Sequence, residues 1–405
     1  MDPSRRHVLL SAMVSVMSAP VLANDIARSP SAPSLAEEVK KLVEDQFYDP
    51  DRAKRFGAEV AAKTESDIEA VRRGLAALRA SHTALYTGAD LDYYELIDIF
   101  LPILRKRNDA VLKEIFPPDG TPFYDGIGIA TVRSGDGWHV SDVYDAGPAR
   151  EADFKVGDLL VSADGQPFHP IHSFVGRGGT TATVTIRSSL RGPTHEVRVK
   201  VNRFRPNALQ DASIKSSVKT FKVDGTEIGY VRLWTHSTPE SQKALQSLLS
   251  TEPLNRASAL VVDLRCRHGG SPPQAAEIFV GASPQIEMIG RTDSIVNNFR
   301  YRKPVVGIID GGTRSGMELF AYTLKKAGVP LVGSKTEGAV LGGTLFLLND
   351  KSLLYLAVMD IKVDGQRLEG HGVTPTVPVA WDKLYSEGRD PQLSEAIRQA
   401  SVLSR

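Results

Sequence analysis

Apolar residues recur at every third or fourth position in three N-terminal stretches, 37–47, 67–80 and 93–115, with few strand formers among them. That spacing predicts helices that each bury one face. From about residue 119 the pattern changes to short runs, GIGIATV, WHVSDVY, DLLVSADG, TATVTIRS and HEVRVKVNRF, separated by Gly, Asp and Pro turns. These read as the strands of a small β-rich module ending near residue 204. From about residue 216, strand patterns alternate with helical ones: EIGYVRLW, STPESQKALQSLLS, ALVVDLR, PPQAAEIFVG, KPVVGIID, MELFAYTLKKAG, PLVG. Alternation of this kind implies βαβ units around a buried parallel sheet. LFLLND and LLYLAVMDIKVDGQRL follow as strands and hairpins.

One junction is abrupt. In IIDGGTRSGMELFAYTLKKAG, residues 308–328, an apolar strand stops at Gly311-Gly312 and a helical pattern begins directly after Ser315. Thr313 and Ser315 are both suited to cap that helix. A serine on such a corner also has its hydroxyl exposed above the sheet, with the first free N–H groups of the helix beside it.

At 405 residues and 41% hydrophobic, the chain exceeds one ordinary core, so two or three domains are expected. Lys+Arg 49 against Asp+Glu 48 gives no reason to expect a nucleic-acid or membrane-surface partner. The single cysteine, Cys266, excludes an internal disulfide and a cysteine-based zinc cluster. The histidines lack metal-ligand spacing, so neither a metal nor another cofactor is expected. The N-terminus is distinct: Arg5-Arg6 leads into LLSAMVSVMSAPVLA, with small residues at Val21 and Ala23. This describes a secretory signal peptide over 1–23, of twin-arginine type, cleaved after Ala23; an uncleaved anchor is the rival. Export to the periplasm or medium follows, with no stable membrane insertion. The expected organisation is then a flexible lead-in over 24–36, a helical region over 37–118, the β-rich module over 119–205 and an α/β core over 206–405.

Six stretches occur in a meaningful order: Tyr124-Asp125-Gly126-Ile127-Gly128-Ile129; Ala146-Gly147-Pro148-Ala149 with Val156-Gly157-Asp158-Leu159; Val262-Asp263-Leu264-Arg265 with Gly269-Gly270; Thr313-Arg314-Ser315-Gly316-Met317-Glu318; Thr336-Glu337-Gly338-Ala339; and Gly370-His371-Gly372-Val373-Thr374-Pro375. Together they resemble the S41 peptidases, the C-terminal processing or tail-specific proteases, whose ClpP/crotonase-like α/β core carries an inserted PDZ domain. The resemblance implies Ser315 as nucleophile, with Gly316 and Gly269 or Gly270 supplying oxyanion amides. It also implies protein or peptide substrates, taken by their C-termini at a PDZ carboxylate loop of Gly126, Ile127, Gly128 and Ile129.

The sequence departs from the tail-specific pattern at one position. Those members place a lysine base where this chain has Ala339, and Lys335 lies on the other side of Thr336. A hydroxyl is a poor nucleophile at neutral pH without a proton acceptor. Ser81-His82-Thr83 resembles the tricorn-like branch, in which a histidine preceded by a serine is the base and a late glutamate completes a tetrad. Carried over, His82 is the base and Glu369 and Ser81 its polar partners, with His82 placed at the end of a helix. His371, two residues from Glu369, competes for the role. Three readings stay open: a serine peptidase with a histidine base, a serine–lysine peptidase using Lys335, and an inactive scaffold that binds peptides or apolar ligands. The sequence does not specify the oligomeric state.

Overall fold

The computed structural model describes residues 33–405 apart from 61–66, 273, 283–284, 290–293 and 299. The signal segment and residues 24–32 of the lead-in lie outside the described residues. The first helix, Leu35–Gln46, begins inside the segment expected to be a lead-in. A capping box starts it: Ser34 Oγ accepts the Glu37 N–H at 3.2 Å, and the Glu37 carboxylate accepts the Ser34 N–H at 2.7 Å. A second helix, Pro50–Val60, has no counterpart among the sequence expectations. Its charged surface hides a stripe of Ala53, Phe56 and Val60, all buried. A third helix covers Asp67–Ala77. The long 93–115 pattern becomes two helices, Leu91–Ile99 and Leu101–Ile115, separated at Phe100. Pro102 explains the break, because it lacks an N–H and its ring collides with the carbonyl four residues back.

These helices cover a three-stranded antiparallel sheet in the order Ala84–Tyr86, Leu353–Asp360, Leu341–Leu347. Val39, Val43, Phe56 and Leu75 pack there against Leu354 and Leu356. Sequence-distant ends of the chain are thereby fused into one layer, which carries residues 81–83 to the core.

The β-rich module is a sheet of strands Ile129–Ser134, Gly137–Val143, Leu159–Ala163, Thr181–Arg187 and His195–Lys200, closed over Ile127, Phe154, Phe174 and Val184. The main sheet runs Lys219–Val223, Thr226–Arg232, Ala259–Asp263, Val305–Ile309, Leu331–Gly333, Val377–Pro378. Its first pair is antiparallel and the remainder parallel. Central strands Ala259–Asp263 and Val305–Ile309 are buried along their whole length, as a sheet covered on both faces requires. Leu245, Phe320 and Leu324, from helices Pro239–Ser250 and Gly316–Lys326, fill one face. Ala396 and Ala400 of helix Pro391–Leu403 fill the other. Among the described residues of PPQAAEIFVG, read as helical, only the short helix Glu277–Val280 forms. The architecture is an α/β core with an inserted β-rich domain and an N-terminal helical region, and the loops after its central strands meet at one corner.

Candidate active site

Ser315 sits at that corner with φ 53° and ψ −129°, a left-handed conformation costing a non-glycine residue about 1–3 kcal/mol. Tertiary contacts hold it. The Ser315 N–H donates to Ala339 O at 2.9 Å and to Glu318 Oε2 at 3.2 Å. Glu318 is fully buried and also accepts Thr336 Oγ1 at 2.5 Å, Gly338 N–H at 2.8 Å and Ala339 N–H at 2.7 Å. Burial pushes its carboxyl up, against the pull of these donors. The Ser-x-x-Glu spacing therefore has a physical purpose: Glu318 ties the 336–339 stretch to the strained serine. Ala339 is a buried methyl, while Lys335 is exposed.

His82 lies beyond a helix end, not at one. The helix stops at Ala77, and His82 follows in a turn, with φ 54°, just before strand Ala84–Tyr86. Its ring is buried, edge-on to Tyr355 at 5.1 Å, and its Nδ1 lies 2.8 Å from Ser81 Oγ. Ser81 Oγ donates to Glu369 Oε2 at 2.8 Å, and the Ser81 N–H to Glu369 Oε1 at 3.0 Å. A hydroxyl has one proton to give. Since Ser81 gives it to a carboxylate, its oxygen accepts from Nδ1–H, which leaves the lone pair on Nε2. Burial, then the Arg314 charge and His268, push the His82 pKa down to about 3. Gly343 lies against the His82 Cβ, which a side chain there would crowd.

The base candidate and the corner share one piece of backbone. Ala339 O accepts the Ser315 N–H, and the next residue, Val340, donates its N–H to Glu369 Oε2 at 2.8 Å. Among the described residues no hydrogen bond joins Ser315 Oγ to the His82 ring. Glu369 is buried, whereas His371 is exposed.

Gly269 and Gly270 both adopt φ 70°. A Cβ on Gly269 would lie 2.7 Å from the Ser315 Cβ, so only glycine lets this turn approach the serine. Gly316 abuts the Ser271 backbone. The amides of Met317, Glu318 and Leu319 have backbone acceptors in the corner, while that of Gly316 has none among the described residues. The amides of His268 and Gly269 lie against the Cys266 thiol. That leaves Gly270 as the less committed donor of the pair.

Further neighbours were not legible as site residues in the sequence. Arg314 forms an ion pair with Glu337 at 3.4 Å. His268 meets Glu95, 173 positions away, at 2.5 Å and Asp92 at 3.6 Å. Asp92, Glu95 and His268 form a grouping of metal-ligand type. Arg267 stands among them, 3.0 Å from Asp92 and 3.6 Å from Glu95, so a cation is already supplied. Trp234 donates its indole N–H to Asp145 at 2.9 Å and lies 4.7 Å from the Tyr144 ring, joining core to β-rich domain.

The expected carboxylate loop is closed. Residues 126–129 are buried, Gly128 packs on Gly147, and Ile127 O accepts the Ala149 N–H at 2.8 Å.

Comparison with known proteins agrees with this architecture. The model of peptidase family S41 matches residues 227–379, and that of the PDZ domain matches 126–215. A carboxy-terminal-processing protease of Bartonella bacilliformis is 25% identical over 277 residues, covering 63% of this chain and 61% of that protein. The chloroplastic carboxyl-terminal-processing peptidase 2 of Arabidopsis thaliana is 27% identical over 278 residues, 62% of this chain and 52% of its own. The matches thus span only about half to three-fifths of those relatives' lengths. Among solved structures, the photosystem II D1 C-terminal processing protease superposes with a TM-score of 0.50 at 18% identity, over 91% of this chain and 96% of that one. The tricorn protease gives 0.51 at 19% identity, over 91% and 36%. The chain thus carries a region matching the PDZ domain ahead of a core region matching peptidase family S41.

Proposed function

We propose that the chain is an exported serine endopeptidase that hydrolyses peptide bonds through an acyl-enzyme on Ser315, with His82 as general base. The observation that carries this reading is the relay Glu369–Ser81–His82, anchored on the residue next to the one that holds the Ser315 amide. Ser315 Oγ attacks the scissile carbonyl while His82 Nε2 takes its proton. The imidazolium so formed is stabilised through the Ser81 hydroxyl by Glu369, whose charge compensates for a burial that otherwise disfavours it. The Gly316 and Gly270 amides receive the carbonyl oxygen as it becomes negative. His82 then returns the proton to the leaving amine, and water repeats the sequence to release the acid. Closure from the present geometry to hydrogen-bond reach between Ser315 and His82 accompanies substrate binding, as is common for uncomplexed sites.

Substrates are proteins or peptides. For the PDZ domain to take a C-terminal carboxylate at residues 126–129, the cover formed by 147–149 has to move. Export rests on the signal-like residues 1–23. Among the described residues no helix is long and apolar enough to cross a membrane.

The buried methyl of Ala339 favours a second reading, a binding scaffold without hydrolysis. Incubating the purified chain with unfolded casein and a fluorophosphonate probe separates the two. Cleavage together with labelling, both lost in Ser315→Ala and His82→Gln, supports the peptidase; a wild-type chain that neither cleaves nor labels is the scaffold.

A further inference from the structure

We propose that Glu95 is a positioning residue of this site: its carboxylate, reaching in from the N-terminal helical region, holds His268 and thereby fixes the Gly269-Gly270 turn against Ser315. This rests on the serine-peptidase reading above. Glu95 touches neither substrate nor reacting atoms and acts through the backbone it restrains.

Both of its oxygens are committed. Oε1 accepts the Tyr144 hydroxyl at 2.5 Å, and Oε2 lies 2.5 Å from His268 Nε2. Its helix, Leu91–Ile99, is a firm mount, with Tyr93, Leu96 and Ile97 buried around it. His268 is the last side chain before two consecutive glycines, each at φ 70°. A glycine pair has little conformational preference of its own, so its geometry must be imposed from outside. Contact with Ser315 and Ser237 restrains the far side of the turn. On the near side, His268 is the handle.

An oxyanion donor works only within a few tenths of an ångström of its ideal distance, and a shift of roughly 1 Å costs about a hundredfold in rate. A carboxylate at one remove from the amide can therefore set kcat. Tyr144 belongs to the inserted domain, Glu95 to the helical region and His268 to the core, so all three parts of the fold meet on this one carboxylate.

The test uses the full chain and four proteins: wild type, Glu95→Gln, Tyr144→Phe and Asp98→Asn. Asp98 is on the same helix and equally buried, but it holds Arg205 and the Asn207 amide away from the turn. It serves as the structural control. Peptide hydrolysis, phosphonate labelling rate and Tm are measured for each. Glu95→Gln is expected to lower kcat by about a hundredfold with KM within about twofold, and to slow labelling in parallel. Tyr144→Phe frees one oxygen of Glu95 and should lower kcat by about threefold at unchanged KM. Asp98→Asn should lower Tm while kcat stays within about twofold of wild type.

Wild-type kcat in Glu95→Gln overturns the proposal, as does a kcat loss that tracks Tm equally in the Glu95 and Asp98 variants. If Glu95→Gln does not fold, Tyr144→Phe decides, and an unchanged kcat there also overturns it. A wild-type chain that neither cleaves nor labels removes the peptidase reading and this proposal together, an outcome distinct from an active enzyme indifferent to Glu95.

Discussion

Glu369 and Ser81, 288 positions apart, are joined by two hydrogen bonds, one to the Ser81 hydroxyl at 2.8 Å and one to its amide at 3.0 Å. The pair turns the hydroxyl so that its oxygen faces His82 Nδ1. This small unit decides which nitrogen of the ring can accept a proton, and the mutational tests begin with it.

Ser81→Ala removes the relay but keeps the ring and the Glu369 carboxylate. Its kcat on a peptide substrate should fall by about 10- to 100-fold with little change in KM, since the loss is felt only when the imidazolium forms. An unchanged kcat would show that the relay has no part in proton transfer.

Glu369→Ala should damage stability as well as rate. It strands the Val340 and Ser81 amides, each costing about 1–3 kcal/mol if left buried without a partner. A fall in chemical-denaturation stability alongside lower kcat is the expected result. Ser81→Ala, which strands only the His82 Nδ1–H, should lower stability by less.

Lys335→Ala should leave activity within about twofold of wild type, because an exposed lysine on the far side of anchored Thr336 has nothing to hold it against the corner. Loss of activity in this variant, with His82→Gln still active, would favour the lysine-base alternative.

The pH dependence of stability follows from two buried imidazoles. Burial first, then Arg314 and His268, depress His82 to about 3, and burial alone depresses His236 to about 4. The unfolded chain takes up protons near pH 6.5 and the native state does not. Stability is therefore full above that pH and declines as pH falls, by roughly 1.4 kcal/mol per pH unit for each group. Denaturation midpoints should drop steadily from pH 6.5 to 4.5, and His236→Leu should lessen the slope. A flat profile across that range contradicts the assignment.

Gly269→Ala tests the close approach of the turn. The added methyl overlaps the backbone of Arg314 and crowds Ser315, in a left-handed conformation that alanine disfavours. A folded but nearly inactive protein is expected, checked by Tm and peptide hydrolysis. Full activity would mean that the turn can relax without consequence.

Much of the fold was legible because it is local. Period and turn residues marked the βαβ strands, the β-rich module and the helix after Ser315, and the resemblance of short motifs offered the serine, the glycine turn and the distant histidine as candidates. The misses have physical causes. The helix Pro50–Val60 escaped because its buried stripe is only Ala53, Phe56 and Val60 among charges. The 93–115 helix broke at Phe100, where Pro102 overrides the periodicity.

By itself, then, the sequence determined which segments become strands and helices, since side-chain alternation and turn chemistry act over a few residues. It also placed a serine on a strand-to-helix corner. The tertiary structure alone decided what surrounds that serine. Pairing of strand Ala84–Tyr86 with Leu353–Asp360 carries Ser81 and His82 to Glu369. Packing of helix Leu91–Ile99 beside the turn gives His268 its carboxylate. Contacts across such separations leave no periodic trace along the chain, because burial and hydrogen bonding are satisfied only when distant segments meet.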